Sequence, residues 1–225
     1  LVFLGETRCD EIPPELKSAL DEYPWSTLVA STGKGRKGQA GVPLFSKEQP
    51  LNIWKGTGVE EFDDAGRLII AEYATFFFAG AYAPNSGARL ENLPKRRRWE
   101  ATIRRKLSDL DVKKPVIYGG DLNVAHQKID AADYGVNIRT AAGFADQERA
   151  DMTALLGSGF TDTYRSLHKD SAAYTSYLWM GARIPARLDY FLASNRLVEN
   201  ITESDVMDDG MSASDHCPIM LKIII

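Results

Sequence analysis

Val116-Ile117-Tyr118-Gly119-Gly120-Asp121-Leu122-Asn123 is the stretch on which the reading of this chain turns. After Pro115, three apolar residues have the length and composition of a buried strand. The two glycines that follow permit a sharp turn or a close backbone approach. An acid and an amide, two residues apart, are then delivered where the strand stops. If strand geometry continues that far, Asp121 and Asn123 point to the same face. A carboxylate beside an amide donor suits activation of a water and stabilisation of an anionic oxygen. A plain polar turn has the same composition, so this stretch alone leaves both readings open.

Outward from it, strands are predicted over residues 1–4, 26–30, 41–46, 51–55, 67–73, 76–82, 115–118, 188–193 and 219–225. Helices are predicted over 14–22, 94–107 and 146–156, a turn at 63–66, and a glycine-rich basic loop over 31–38. Strands dominate and helices are interspersed without repeat or linker. This fits one α/β domain over 1–225, a sandwich of two packed sheets with helices outside.

Bulk properties narrow the function. The net charge of −4 argues against a coat for nucleic acid but leaves a nuclease open, since a basic rim can surround an acidic pocket. No apolar run approaches the roughly 20 residues needed to span a bilayer. No secretory leader is legible at the start. Two distant cysteines, Cys9 and Cys217, do not form a secreted disulfide framework and read as thiols of a reducing compartment. An intracellular protein is expected, nuclear in a eukaryote and cytoplasmic in a bacterium.

Four further segments carry candidate chemistry. In Ser214-Asp215-His216-Cys217-Pro218-Ile219, a His precedes a buried strand beside an acid that can fix its charge state. In Arg187-Leu188-Asp189-Tyr190-Phe191, a carboxylate among apolar residues needs a partner, His216 or else Arg187 or a backbone N–H. In Gly5-Glu6-Thr7, Glu6 ends an apolar run and offers hard oxygens suited to Mg²⁺. In Tyr82-Ala83-Pro84-Asn85-Ser86-Gly87, a phenol and an amide on one rigid loop can donate to phosphate oxygens. Basic residues Lys95, Arg96, Arg97, Arg98, Arg104, Arg105 and Lys106 share one predicted helix, and Lys34, Arg36 and Lys37 share the glycine loop. Such clusters either contact a DNA backbone or form a solvated face.

Taken together, and above all in Gly120-Asp121-Leu122-Asn123-Val124-Ala125-His126 and Ser214 to Ile219, the sequence resembles the exonuclease III family of AP endonucleases, in the endonuclease/exonuclease/phosphatase superfamily. The resemblance runs through nearly the whole chain. It implies a four-layer αββα sandwich of two packed mixed sheets flanked by helices. It implies Mg²⁺-dependent hydrolysis 5′ to an abasic site in duplex DNA, with Mn²⁺ as a substitute metal. Trimming of blocked 3′ ends and 3′→5′ exonuclease activity accompany this in the family. By the same resemblance Glu6 and Asp215 would serve the metal, Asp121 and Asn123 the attacking water, and His216, oriented by Asp189, the scissile phosphate. Tyr82, Asn85 and Arg89 would join the glycine loop on the phosphates. A monomer acting on DNA, with no membrane partner, is the implied form.

Departures from the family pattern keep other readings alive. The family opens with a strand bearing a Trp-Asn motif, and this chain begins after it, so the domain is expected to lack its first strand and helix. Gly5 stands where a Gln is usual. Ser176 and Ala186 stand where aromatic residues line the abasic-sugar pocket, leaving Tyr177, Trp179 and Met180 to repack as its wall. Gln39 and Ala88 replace DNA-contacting side chains. A phosphodiesterase of altered end specificity, or a non-catalytic DNA-damage binding protein, remain the alternatives.

Overall fold

A computed structural model describes residues 1–32, 40–132, 138–207 and 214–225. In chain order the strands are β1 (Val2–Phe3), β2 (Trp25–Val29), β3 (Val42–Ser46), β4 (Asn52–Lys55), β5 (Leu68–Glu72), β6 (Phe77–Tyr82), β7 (Val116–Asp121), β8 (Phe160–Asp162), β9 (Ser176–Trp179), β10 (Arg183–Ala186), β11 (Asp189–Ser194), β12 (Ile201–Val206) and β13 (Ile219–Ile223). The α-helices are α1 (Pro14–Ala19), α2 (Glu60–Asp63), α3 (Leu93–Asp111), α4 (Asp146–Leu156) and α5 (Thr163–Leu167).

A six-stranded mixed sheet, order β4-β5-β6-β7-β11-β8, occupies the centre, with β6 and β7 parallel and the other pairs antiparallel. Its strands are apolar on both faces, which explains the unbroken run Leu68 to Ala71. Leu68 and Ile70 point to one side with Ala79 and Tyr118, where Trp99, Ile103 and Leu107 of α3 and Met152 and Leu155 of α4 cover them. Those α3 residues recur at helical spacing, and Trp99 meets Phe62 edge-on at 5.6 Å. Ile69 and Ala71 point to the other side with Phe78 and Ile117, against Val29, Val42 and Leu44 of a second layer.

That second layer consists of the antiparallel ladder β1-β3-β2 and the antiparallel pair β12-β13. Among the described residues, the outer edges of β1 and β13 have no strand partner. Phe3 reaches from β1 over Gly80 and Gly120, where any Cβ would collide with its ring. The expected packed sheets with helices are therefore present, the central sheet mixed and the second layer antiparallel, although the outlying α1 buries no residue fully. No helix among the described residues is long and apolar enough to cross a membrane.

Several boundaries differ from the sequence reading. The strand expected to stop at Tyr118 continues through both glycines to Asp121, because β11 and β6 supply ladder partners on either side. Residues 60–63, just before the expected turn, form α2, with Asp63 capping the preceding loop through the Thr57 and Gly58 N–H groups. Strands β8, β9, β10 and β12 and helix α5 were not anticipated.

Candidate active site

Three strand ends line up to make the site. Tyr82 ends β6, Asp121 ends β7 and Asp189 begins β11. The ladders place Tyr82 beside Asp121, and Asp121 beside Asp189. The expectation that Asp121 and Asn123 share a face through continued strand geometry is corrected. The strand ends at Asp121, and Asn123 takes a left-handed backbone conformation, φ 49°. The turn itself brings them together: the Asn123 N–H donates to Asp121 Oδ1 at 2.8 Å, and Asn123 Nδ2 donates to Asp121 Oδ2 at 3.0 Å. Asn85 Nδ2 donates to Asn123 Oδ1 at 2.9 Å, while its own Oδ1 accepts from the Gly87 N–H.

Asp121 is almost fully buried. Burial first, then the charge of Asp189, raises its pKa well above the usual carboxylate range. A carboxylate whose pKa lies near physiological pH accepts a proton from water more readily than an ordinary one.

His216 lies across from it. Its Nδ1 is 2.8 Å from Asp189 Oδ2. Burial opposes the imidazolium, but the hydrogen bond and charge of Asp189 outweigh it, and the pKa rises to about 9. The alternative partner for Asp189 is excluded by geometry. Arg187 instead donates through both terminal nitrogens to Asp162 at 3.1 and 2.6 Å, and through Nε to Asp130 at 3.0 Å. Two contacts fix the loop that carries His216: the Cys217 N–H donates to Thr175 O at 2.7 Å, and Ser176 Oγ donates to Asp215 O at 3.0 Å.

Glu6 follows β1 in a left-handed conformation, φ 51°. Its Oε1 meets Arg8 Nη2 at 2.7 Å. Burial, then the charges of Glu6 and Asp121, raise the pKa of Tyr82. Among the described residues no group of three or more His, Cys, Asp or Glu forms a metal cage. A divalent cation such as Mg²⁺ can bind through one or two carboxylates, waters and substrate phosphate rather than an all-protein cage, and Glu6 and Asp215 are carboxylates of that kind. Glu6 already balances a cation, Arg8, at this edge of the site.

The expected DNA contacts divide. Arg89 is exposed, with φ 57°. Lys34, Arg36 and Lys37 lie outside the described residues. On the basic helix, exposed Arg97 pairs with Asp151, exposed Arg98 pairs with Glu61, and Lys106 donates to Thr57 O. Arg96 is buried. The residues expected to repack as an aromatic wall lie on and just after β9, none of them buried. Trp179 is 70% exposed and Met180 38% exposed, at the turn end of the β9–β10 hairpin. Tyr177 lies half-buried beneath Arg183. Ser176 and Ala186, both buried, face each other across that ladder.

Sequence reasoning missed Arg67. Its guanidinium stacks on the Tyr82 ring at 4.6 Å, and Nη1 donates to Tyr82 O at 3.2 Å. With Asn85 and Lys95 it lines a groove of about 360 Å³ beside Tyr82. The strand register aligns Leu68 with Ala81, one step from Tyr82, but nothing in the sequence alone gives that register.

With this geometry in place, comparison with known proteins is informative. The profile of the Endonuclease/Exonuclease/phosphatase family matches residues 1–216. The "DNA repair nuclease APEX1" of Danio rerio is 40% identical, aligned over 100% of this chain and 73% of its own. The "Exodeoxyribonuclease" of Bacillus subtilis is 38% identical over 100% of this chain and 88% of its own. "Recombination repair protein 1" of Drosophila melanogaster is 40% identical over 97% of this chain, which spans only 32% of that longer protein. An AP endonuclease structure from Archaeoglobus fulgidus superposes with a TM-score of 0.85 at 24% identity, covering 99% of this chain and 88% of that one, a likeness of fold. The chain belongs to the Endonuclease/Exonuclease/phosphatase family.

Proposed function

We propose that this protein is a base-excision-repair AP endonuclease, hydrolysing the phosphodiester 5′ to an abasic site in duplex DNA. The observation that carries this reading is the facing of two dyads across β7 and β11. Asp121 is held by Asn123 on one side, and His216 is held by Asp189 on the other. A carboxyl that takes a proton and an imidazolium that meets negative charge, side by side at a strand end, fit in-line displacement at phosphorus.

Asp121 draws the proton from a water as its oxygen bonds to phosphorus. Asn123 holds that water and the carboxylate in line. The bond from phosphorus to the 3′-oxygen breaks, and that oxygen leaves as a 3′-hydroxyl after taking a proton from solvent. His216 stabilises charge on the non-bridging oxygens. The Tyr82 hydroxyl, whose raised pKa keeps it protonated, donates to the phosphate. Glu6 and Asp215 would hold a divalent cation, Mg²⁺ with Mn²⁺ as substitute, which when bound supplies Lewis-acid charge at the phosphate.

A second reading is a 3′-end phosphodiesterase or 3′→5′ exonuclease, favoured by the Ser176–Ala186 pair, which offers no aromatic wall to select a sugar without its base. Nicking of abasic, 3′-blocked and undamaged duplexes, with and without EDTA, separates the readings. Preference for the abasic duplex supports the first. Equal rates on all three overturn it, and preference for the 3′-blocked duplex supports the second. No metal-dependent cleavage of any of them leaves DNA-damage binding without chemistry.

A further inference from the structure

Arg96 is a charged side chain of α3 that is only 1% exposed and lies away from any surface a substrate could reach. Its donors go almost entirely to backbone. Nη1 donates to Pro84 O at 2.7 Å and to Asn123 O at 3.3 Å, and Nη2 donates to Leu122 O. Nε donates to Glu100 Oε1 at 2.7 Å, one helical turn further along α3. The carbonyls belong to two loops that are far apart in sequence. Pro84 follows β6 and carries Asn85 beside it, while Leu122 and Asn123 follow β7. One planar guanidinium thus bridges the loops that present the two amides of the site.

We infer that Arg96 is a positioning residue for the reaction, setting the distance between the Asn85 and Asn123 amides and thereby the geometry of Asp121. This deepens the phosphodiesterase reading and rests on it. Three observations support the role. Asn123 sits at φ 49°, a conformation a non-glycine residue keeps only when its surroundings over-determine it. Arg96 supplies that constraint from below, through the carbonyls on either side of the Asn123 N–H that Asp121 receives. The Asn85–Asn123 hydrogen bond spans the same two loops at the surface of the site, so the guanidinium and the amide pair close one ring of contacts. A buried neighbour holds the Asn85 loop from its other side: Ser86 Oγ donates to Glu148 Oε1 at 2.5 Å, and Glu148 Oε2 also accepts from the Gly143 and Ala145 N–H groups.

The chemistry demands arginine. A rigid fork of five donors can address carbonyls on two loops at once, whereas an ammonium is a single point charge on a flexible stem. A lysine at position 96 keeps the countercharge for Glu100 but loses the bridge. A small misplacement remote from the chemistry can cost about 100-fold in rate.

The test is Arg96→Lys in the full chain, with Arg96→Met/Glu100→Gln as a second variant that leaves no unpaired carboxylate. Each is checked for folding by circular dichroism and thermal melting. On an abasic duplex, Arg96→Lys is expected to lower kcat by about 100-fold with KM little changed. On an Asn123→Ala background it should lower kcat much less, because both substitutions disable the same positioned amide. The second measurement needs no substrate: the side-chain amide NMR signals of Asn85 and Asn123 should shift in Arg96→Lys while methyl signals from the Trp99–Ile103 core do not. Unchanged amide signals overturn the inference, as does a rate loss on Asn123→Ala equal to that on the wild type. If the wild type cuts no abasic duplex, the proposed activity fails, and the amide signals still decide the role of Arg96.

Discussion

The carboxylate of Asp189 lies 2.8 Å from Nδ1 of His216, and Asp189 stands directly opposite Asp121 in the β7–β11 ladder. One acid therefore serves both dyads. It holds the imidazole in place and charged, and its own charge keeps a proton on Asp121 longer. Replacing it with Asn removes both effects. Asp189→Asn is expected to lower single-turnover cleavage by roughly 10²- to 10⁴-fold. Duplex affinity, read by fluorescence anisotropy, should stay close to wild type. A rate equal to wild type removes Asp189 from the mechanism.

Asp121→Asn and His216→Ala each strip one partner from the reaction itself. Turnover is expected to fall by several orders of magnitude in both, with DNA binding largely kept. Single-turnover rates alongside gel-shift affinities give the answer, and an undiminished rate in either variant excludes that residue.

The pH dependence follows from the same pair. In the proposed mechanism Asp121 acts when ionised, and its raised pKa means the rate should climb with pH well above the ordinary carboxylate value of about 3.9. In the same mechanism His216 acts when protonated, so the rate should fall as pH rises through about 9. The profile of kcat/KM should be a bell, its limbs belonging to the coupled pair. In Asp189→Asn the alkaline limb should move down toward the ordinary histidine value of about 6.5. An alkaline limb that stays in place would break the link between Asp189 and the charge on His216.

Metal dependence tests the edge of the site. EDTA should abolish cleavage, Mg²⁺ should restore it, and Mn²⁺ should substitute. Glu6→Gln should raise the Mg²⁺ concentration needed for half-maximal rate. An identical Mg²⁺ titration curve would take Glu6 out of the metal site.

Trp179 is 70% exposed, at the turn of the β9–β10 hairpin. Trp179→Ala should change stability by no more than about 0.5 kcal/mol. If this hairpin meets DNA, KM for the abasic duplex should rise several-fold, and a KM unmoved by the change places Trp179 away from the substrate.

Much of the candidate site was legible because several of its groups sit at or just past a strand end, where apolar runs stop near Glu6, Tyr82 and Asp121. Sequence also offered His216 as a partner for Asp189, though it left Arg187 open. It could not show the β8–β11 and Asp130 contacts that draw Arg187 away. The left-handed turn at Asn123 was hidden for a similar reason. Asparagine tolerates that conformation, but a strand continuing by alternation predicts the same neighbours. The basic helix left both readings open because charge on a helix face looks alike whether it meets DNA or the acids of α2 and α4. Glu61 and Asp151 come near only once the chain folds. Strand β9 is only four residues long and β12 is polar at Thr202, Glu203, Ser204 and Asp205, and only their antiparallel partners reveal them.

Glu6, Arg8 and Asn123 hold backbone conformations that L-residues adopt reluctantly, and all three stand at the site. Each such conformation costs on the order of 1–3 kcal/mol. Natural variation or laboratory selection for heat resistance alone would therefore find quick gains here, for example by admitting glycine at position 123. Those gains would be the ones that silence the enzyme. Its thermal tolerance and its chemistry draw on the same few residues in opposite directions, so a screen that scores melting without scoring cleavage would select against function first at these positions.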